Sequence, residues 1–508
     1  MDLVMLMHKS NQFYAITVSL FLCSFLYLLK LSLFRAKKLK LPPSPPKLPI
    51  IGNLHQLVSQ PHQCLRALSN KYGPVMLFHF GTTPTIIVSS AEIVSEIIKT
   101  DGPVFSNRPQ TKGLNDIFYG CTDLAFTSYG DYWTQVKKSC LLHLLNQKKV
   151  QCFELARGDT AADMVEKIRD SCRSGAAINL SEMFRTAASN MVSRAVFGQV
   201  YEREDGCESI AELSKKGVNL LGDFCFEDAI PFLGWMDGLT GFRARLKKTS
   251  KDINDFLDRV IEEHLKKKNE KSETKEFVDI LLDLQKDHDM RKTTDFNRDN
   301  VKATIADMFL AGSDTVALVL EWTMTELMKN PSKMKNAQEE LRRVIGNKSK
   351  IEESDINQMN YLKCVIKESL RLHPVIPMPP RETTASCKLG GYDLPPKARV
   401  TINIWAIQRD PKHWESPEEF IPERHENSTV DYINQSNHFI PFGGGRRGCP
   451  GMSFGTANVE CLLANLLCWF DWKMPGDARE EDLDTSEVIN FVLRKKIPLN
   501  LVPLMHSH

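Results

Sequence analysis

Cys449 lies in a glycine-rich run, Phe442 to Gly451, that combines the residue types needed to hold an iron porphyrin. A cysteine must be ionised to bind iron, and thiolate ligation supplies electron density that favours cleavage of an O–O bond. The glycines let the backbone approach a flat ring closely, Phe442 could pack beside the sulfur, and Arg447 could pair with a propionate. The run therefore predicts that Cys449 is the axial thiolate ligand of a haem iron.

Two other interpretations of this run are open. Cys449 could be one more buried, inert cysteine among the thirteen in the chain. The overlapping stretch Gly451-Met-Ser453-Phe-Gly455 matches the G-x-S-x-G nucleophile elbow of α/β-hydrolases, which needs a hydrophobic strand before the serine. Glycines, arginines and a proline precede Ser453 instead, and it falls in the first turn of a predicted helix over about 452–467. The hydrolase interpretation is therefore disfavoured.

The longest predicted helix carries a second set of residues suited to this chemistry. It runs from about Asn300 to Asn330, is capped by Asp299 or Asn300, and is stopped by Pro331. Its middle is largely apolar, which is typical of a helix that crosses the core. The pattern predicts a long central helix.

Four residues in the middle of this helix could assist a reaction with dioxygen. Ala311 and Gly312 are small and would leave room for dioxygen and substrate beside the iron. The Thr315 hydroxyl could hold a water that delivers protons, and Asp314 could relay those protons. The alternative is a threonine bonded to the carbonyl four residues earlier and a solvated aspartate. Beside the cysteine run, the catalytic interpretation is favoured.

The run around Cys449 fits F-x-x-G-x-R-x-C-x-G and resembles the haem-ligand signature of cytochromes P450. Residues 311–315 are similar to the oxygen-activation motif of that family. The resemblance implies a haem b cofactor bound through Cys449, with Phe442 and Arg447 as further haem-binding residues. It also implies that Thr315 and Asp314 are the catalytic residues.

A second motif of the family, E-x-x-R, is matched by Glu368 and Arg371 in the predicted helix over 361–372. Taken alone, such an i, i+3 pair is normally solvated and worth a few tenths of a kcal/mol. The resemblance implies a structural network instead, whose third member is Arg424. His425 follows Arg424 where the family usually has an aromatic residue, which makes the local packing uncertain.

Three more residues are implied to bind the haem. Trp133 and Lys137 match the segment W-x-x-x-R, with lysine in place of arginine, so that a point charge replaces a bidentate group. Arg381 is the other residue implied to pair with a propionate. The alternative for Lys137 is an ordinary lysine on a helix surface.

In detail the chain resembles plant microsomal P450s of the A-type group, family seventy-one. This implies a monooxygenase that uses dioxygen, and electrons from NADPH through NADPH-cytochrome P450 reductase, to oxidise a small hydrophobic metabolite such as a terpenoid, an alkaloid or a coumarin. No flavin or dinucleotide motif is visible in the chain. By position in the family pattern, the substrate pocket is expected to include Ile305, Ala311, Gly312, Val375, Ile376, Met378 and Ile489.

Composition and length indicate a large globular protein. The chain has 508 residues, 42% hydrophobic and 25% charged, with a net charge of only +2, which gives no argument for nucleic-acid binding. Short β-rich runs at 75–80, 85–90 and 399–405 predict a minor sheet. The expected fold is mainly α with minor β, a cytochrome P450 fold preceded by one N-terminal transmembrane helix.

The N-terminal region predicts a membrane anchor. Residues 13–34 are largely apolar and contain one charged residue, Lys30, which lies far enough from the midpoint to reach the interface. Several lysines and an arginine follow at 35–40, so the positive-inside rule places the body in the cytosol. We expect residues 1–34 to be a signal anchor in the endoplasmic reticulum membrane, 35–53 a basic and proline-rich hinge, and 54–508 the catalytic domain.

Two rival functions remain open from the sequence. A P450-fold isomerase or lyase would rearrange its substrate without a reductase. A non-catalytic haem-binding membrane protein would bind haem and ligands without forming a product.

Overall fold

The computed structural model describes residues 18–25, 39–100, 102–201, 208–267, 276–286, 296–426, 432, 436–476 and 478–506. Of the predicted anchor, residues 18–25 form an exposed helical segment, and the rest lies outside the described residues. The predicted hinge is described from residue 39 onward.

The body is built mainly of α-helices. They are α1 (Pro61–Tyr72), α2 (Ala91–Ser95), α3 (Lys112–Ile117), α4 (Asp131–Cys140), α5 (Gln147–Cys152), α6 (Glu154–Ser174), α7 (Leu180–Phe197), α8 (Ile210–Gly222), α9 (Phe226–Ala229), α10 (Met236–Leu239), α11 (Phe242–Lys267), α12 (Phe277–Lys286), α13 (Arg298–Lys329), α14 (Pro331–Ile345), α15 (Glu353–Ile356), α16 (Asn360–Leu372), α17 (Ile404–Ile407) and α18 (Met452–Trp469).

The strands are short and form small sheets. They are β1 (Val75–Phe80), β2 (Thr83–Val88), β3 (Ile178–Asn179), β4 (Pro380–Glu382), β5 (Cys387–Leu389), β6 (Tyr392–Leu394), β7 (Arg399–Ile402), β8 (Phe470–Lys473), β9 (Glu487–Ile489), β10 (Leu493–Lys495) and β11 (Asn500–Met505). The largest sheet has the order β1-β2-β7-β4, in which β2 and β7 pair in parallel and the other neighbours pair antiparallel. The predicted fold class, mainly α with minor β, is confirmed.

The predicted central helix is α13, but its cap differs from the prediction. The Asn297 side chain accepts hydrogen bonds from the amides of Asp299 at 2.8 Å and Asn300 at 3.3 Å, and Asn300 accepts one from the Asn297 amide at 2.7 Å. Asn297 is therefore the cap, because two asparagines three residues apart form the reciprocal bonds of a capping box. The helix ends as expected, with Pro331 at the start of α14.

Helix α13 is the core of the protein. Almost every residue from Asn300 to Met328 is buried, and α7 is the helix that packs against it most extensively. Among the described residues, α13 is also the helix whose length and composition would suit a membrane span, yet 78% of its apolar window is buried within the protein. It therefore positions residues inside the body rather than in a membrane.

Helix α18 follows the cysteine run directly. It starts at Met452, and Ser453 lies in its first turn, preceded by a single 3-10 turn at Gly445–Arg447 rather than a strand. The strand that a nucleophile elbow needs is therefore missing at this position, and Ser453 is a helix residue.

Candidate active site

A cavity of about 280 Å³ lies between α13 and the loop that precedes α18. Ala311 and Thr315 line it from α13, whereas Phe442 and Cys449 line it from the loop. Much of the remaining wall is apolar, with α7 contributing Val192. The fold thus brings the two sets of residues predicted to do chemistry to opposite sides of one space.

The loop that carries Cys449 depends on glycine at two positions. Gly443 and Gly445 have φ values of 68° and 66°, which other residues adopt only with strain. The Cys449 amide donates to the Phe442 carbonyl at 2.9 Å and closes the loop. The thiol is accessible from the cavity, as an axial ligand must be.

The surroundings of Cys449 partly prepare it for ionisation. Burial raises the pKa of the thiol, but a hydrogen bond from the Gly451 amide and the positive charge of Lys137 oppose this shift. The positive end of α18 begins three residues after the sulfur and acts in the same direction. Iron at the sulfur would supply the charge that makes the thiolate the stable form.

Four basic side chains line the same cavity and form what we call the basic cluster: Arg108, Lys137, Arg381 and Arg447. Arg381 donates to the Gly444 carbonyl at 2.9 Å, but neither its Nε nor that of Arg108 has a hydrogen-bond partner among the described residues. Burial, followed by the charges of Arg108 and Arg447, lowers the pKa of Arg381 well below its ordinary value. Buried cations that repel one another require an anion. The two propionates of haem b fit this requirement.

Trp133 and Lys137 are both in the cavity wall but bond differently from the prediction. The Trp133 indole donates to the Leu124 carbonyl at 3.1 Å, so this donor is already used. The Lys137 ammonium donates to the Arg446 carbonyl at 2.6 Å and lies 4.8 Å from the centre of the Trp133 ring. Burial is the main cause that lowers the pKa of Lys137, followed by Arg447 and Arg381. Lys137 is therefore a member of the cavity rather than a surface lysine.

Arg108 was not identified from the sequence. It lies in the stretch Phe105 to Pro109, between α2 and α3. Its side chain is half-buried and lines the cavity, and burial is the main cause that lowers its pKa to about 10. An arginine placed just before a proline in an irregular segment has no local pattern that would indicate burial.

Thr315 and Asp314 point to different sides of α13. The Thr315 hydroxyl lines the cavity and donates to the Ala311 carbonyl at 2.5 Å. Asp314 is 1% exposed, forms ion pairs with Arg494 and Arg185, and is not part of the described cavity wall. Neighbouring helix residues do not share a face, which explains why only one of the two reaches the cavity.

Gly312 serves packing as well as space in the cavity. A Cβ atom at this position would lie 2.9 Å from Cγ2 of Val192 on α7, too close for ordinary contact. Glycine at position 312 therefore lets α7 approach α13 closely at the cavity wall.

The predicted substrate pocket matches the cavity at four of seven positions. Ala311, Gly312, Val375 and Ile376 line it. The other three lie elsewhere in the described structure: Ile305 is fully buried in the main core, Met378 packs against the cluster around Phe78, and Ile489 packs near Trp405. Ile305 precedes Ala311 by six residues and so lies on another side of α13. Met378 belongs to an irregular segment and Ile489 ends β9, and the sequence does not show which way either side chain points.

The predicted network around Glu368 is present, with Glu368 and Arg371 fully buried and Arg424 partly buried. Arg371 donates to both carboxylate oxygens of Glu368 at 2.8 Å, and Arg424 donates to one of them at 2.9 Å. Arg371 also donates to the carbonyls of Gln408, Pro417 and Glu419. It therefore connects α16 to the segments that lead toward the cysteine loop.

His425 is a fourth member of this network rather than a packing defect. Its Nε2 lies 2.9 Å from Oε2 of Glu368. Burial alone would raise the pKa of Glu368, but the hydrogen bonds from Arg371 and His425 outweigh it and lower the pKa to about 2. Glu368 is therefore a buried carboxylate with several donors.

Comparisons with known proteins agree with this site. The family model described as Cytochrome P450 matches residues 42–500. The chain is 49% identical to Cytochrome P450 71A1 of Persea americana, over 90% of this chain and 91% of that protein. It is 47% identical to desmethylyatein synthase of Sinopodophyllum hexandrum, over 97% of this chain and 99% of the relative. It is 48% identical to phenylacetaldehyde oxime monooxygenase CYP71AN24 of Prunus mume, over 93% of this chain and 90% of the relative.

A solved structure gives the same result for the fold. A zebrafish cytochrome P450 determined with abiraterone superposes with a TM-score of 0.73 at 26% identity, covering 88% of this chain and 99% of that one. With the cysteine loop, the basic cluster and the Glu368 network in place, the chain belongs to the cytochrome P450 family, within plant family seventy-one, and is a haem b monooxygenase.

Proposed function

We propose that this monooxygenase hydroxylates or otherwise oxidises a small hydrophobic plant specialised metabolite, with electrons from NADPH supplied by NADPH-cytochrome P450 reductase. Residues 1–34 anchor it in the endoplasmic reticulum membrane, 35–53 form the hinge, and 54–508 form the cytosolic catalytic domain. The observation that carries the proposal is that Cys449 and Thr315 line one largely apolar cavity.

Different parts of the cavity wall bind the cofactor and orient the substrate. Cys449 would hold the iron and the basic cluster would bind the propionates, with Trp133 and Phe442 as further haem-binding residues of the cavity wall. When bound, haem supplies the activation of dioxygen and the insertion of one oxygen atom into the substrate. The apolar wall excludes water and orients the substrate between these groups.

Proton delivery is assigned to Thr315 and to water in the cavity. The hydroxyl donates its own proton to the Ala311 carbonyl and so keeps its oxygen lone pairs free to accept from a water. Asp314 is the proposed relay on the adjacent face of α13, where its carboxylate pairs with Arg494, so it must first accept a proton from solvent before it can pass one on. Relay from Asp314 requires its carboxylate to leave that arginine and turn toward the cavity.

The substrate class rests on the wall and on the relatives. Ala311, Val375 and Ile376 form an apolar surface that fits a small ring or terpenoid skeleton. One relative is named as a monooxygenase of an aromatic oxime, phenylacetaldehyde oxime. Terpenoids, alkaloids and phenylpropanoids, including coumarins, are therefore the substrates to screen, by the spin-state shift that a bound substrate causes in the haem spectrum.

Turnover with purified reductase and NADPH tests the function. We expect an oxidised product that requires both components and dioxygen. Product formation from a peroxide or an oxime without reductase would favour the isomerase or lyase alternative. Ligands that shift the haem spectrum without any product would favour a non-catalytic haem-binding protein.

Replacing Thr315 with alanine is expected to uncouple NADPH use from product formation. Without the hydroxyl that holds a water, product per NADPH should fall by about 100-fold, the lower end of what a positioned proton-transfer group contributes, with hydrogen peroxide released instead. The measurement is the ratio of product, peroxide and NADPH consumed. Thr323→Ala is the matched control, because Thr323 lies fully buried on the same helix and donates to the Val319 carbonyl at 2.7 Å. Unchanged coupling in Thr315→Ala would make Thr315 an ordinary helix threonine.

A further inference from the structure

The segment Asp123–Phe126 forms part of the cavity wall and is held from three directions. The Leu124 amide donates to Asp307 on α13 at 2.6 Å. The Leu124 carbonyl accepts from the Trp133 indole at 3.1 Å and from Arg447 at 3.3 Å. The backbone of a single residue, Leu124, thus contacts the central helix, α4 and the cysteine loop.

Asp307 is the contact from the central helix. Its Oδ2 atom accepts from two successive amides, those of Leu124 at 2.6 Å and Ala125 at 3.0 Å. Asp307 lies one turn before Ala311 on α13, is 4% exposed, and lines the cavity together with Leu124 and Ala125. A single carboxyl group therefore sets the distance between the helix and this part of the wall.

Asp123 places a second buried carboxyl group beside the first. Its Oδ2 accepts from the amides of Ala125 at 3.1 Å and Phe126 at 2.9 Å, while its Oδ1 has no hydrogen-bond partner in the described part of the chain. The Ala125 amide donates to both Asp123 and Asp307, so the two carboxyl groups are close neighbours.

Burial disfavours the ionised forms of Asp123 and Asp307. Burial raises the pKa of Asp307 to about 7 against the hydrogen bonds from Ala125 and Leu124, and burial followed by Asp307 raises that of Asp123 well above its usual range. The charged and titratable groups that face the pair from neighbouring elements are Arg108, Cys121, Tyr132, Cys140 and Arg447. The pair therefore retains a proton near neutral pH, so its role does not require two negative charges.

We propose that Asp307 is a positioning residue that sets substrate specificity. It attaches the segment Asp123–Phe126 to α13 and thereby fixes where the Leu124 and Ala125 side chains meet the substrate. The function needs a hydrogen-bond acceptor at this position more than it needs a charge, so asparagine should replace Asp307 better than alanine does.

The affinities of two azole ligands distinguish an effect on the cavity wall from an effect on the iron. Both imidazole and 4-phenylimidazole bind iron through a ring nitrogen, but only the phenyl group reaches the cavity wall. In the haem-loaded full chain at pH 7.5, Asp307→Ala should weaken 4-phenylimidazole about tenfold, equivalent to about 1.4 kcal/mol and to the loss of one or two hydrogen bonds. Imidazole affinity should change less than about twofold, and Asp307→Asn should recover most of the loss.

The same two affinities, measured in further variants, provide the control and the contrary outcomes. Asp299→Ala removes an exposed aspartate from the first turn of the same helix and should alter neither affinity. Equal weakening of both ligands, or no weakening of either, in Asp307→Ala overturns the proposal.

If Asp307→Ala does not retain haem, Asp307→Glu is the variant that tests the proposal. Its side chain has one extra methylene, which displaces the wall and should weaken only the binding of 4-phenylimidazole. Wild-type affinities for both ligands in Asp307→Glu then overturn the proposal. The inference rests on the cavity being a haem site, which imidazole binding to the wild-type protein tests separately.

Discussion

Cys449→Ala is expected to abolish the thiolate haem spectrum of the reduced carbon monoxide complex and all monooxygenase activity. Among the residues that line the cavity, Cys449 contributes the thiol, and the loop is shaped to present it there. Alanine fits the same space but gives iron no ligand and supplies no electron density for O–O cleavage. The measurement is the reduced carbon monoxide difference spectrum, with haem content determined on the same sample.

Cys461→Ala is the matched control for this variant. Cys461 lies buried on α18, twelve residues after Cys449, and burial is the main cause that raises the pKa of its thiol to about 12. Such a thiol behaves as a small hydrophobic group, so its loss should leave the spectrum intact. A normal carbon monoxide spectrum in Cys449→Ala would refute the ligand assignment.

Glu368→Gln is expected to destabilise the protein by about 3 to 5 kcal/mol and to reduce haem retention. Glutamine keeps the shape of the side chain but removes the negative charge that faces Arg371 and Arg424. Arg371 is 0% exposed, so its positive charge would remain buried without a counter-ion. Denaturant titration and haem content per protein are the measurements, and Glu339→Gln, an exposed position on α14, is the control.

The acid dependence of stability tests the same network independently. The pKa of Glu368 is lowered from 4.5 to about 2, so its ionised form stabilises the fold by about 3 kcal/mol at neutral pH. That contribution is fully present above about pH 4.5 and is lost as the pH falls toward 2. The difference in stability between wild type and Glu368→Gln should therefore shrink with acidification over this range. A difference that stays constant with pH would remove the carboxylate from the explanation.

Site residues that stand in dense sequence motifs could be predicted from the sequence. Cys449 and Thr315 were identified because each stands in a dense motif, and the structure places both at one cavity. Asp314 belongs to the same motif as Thr315, and its role as a proton relay stays a prediction. Because the helix turns by about 100° per residue, Asp314 lies on the adjacent face of α13 and pairs with Arg494.

Residues defined by distant contacts were not predictable in this way. Asp307 bonds to amides 183 and 182 positions earlier, and nothing in the apolar stretch around it indicates that partner. His425 departs from the family pattern, yet its Nε2 donates a hydrogen bond to the Glu368 carboxylate in the network. A substitution that looks unfavourable in a motif can thus be accommodated by a hydrogen bond that only the fold reveals.

The basic cluster links cofactor supply to protein stability. Arg381 and Arg447 are buried beside the half-buried Arg108, so the chain carries an electrostatic cost that the carboxylates of haem would relieve. A ligand that binds only the folded state stabilises it in proportion to the logarithm of its free concentration, by about 1.4 kcal/mol for each tenfold excess. We therefore expect the amount of folded protein that a cell accumulates to rise and fall with its supply of free haem.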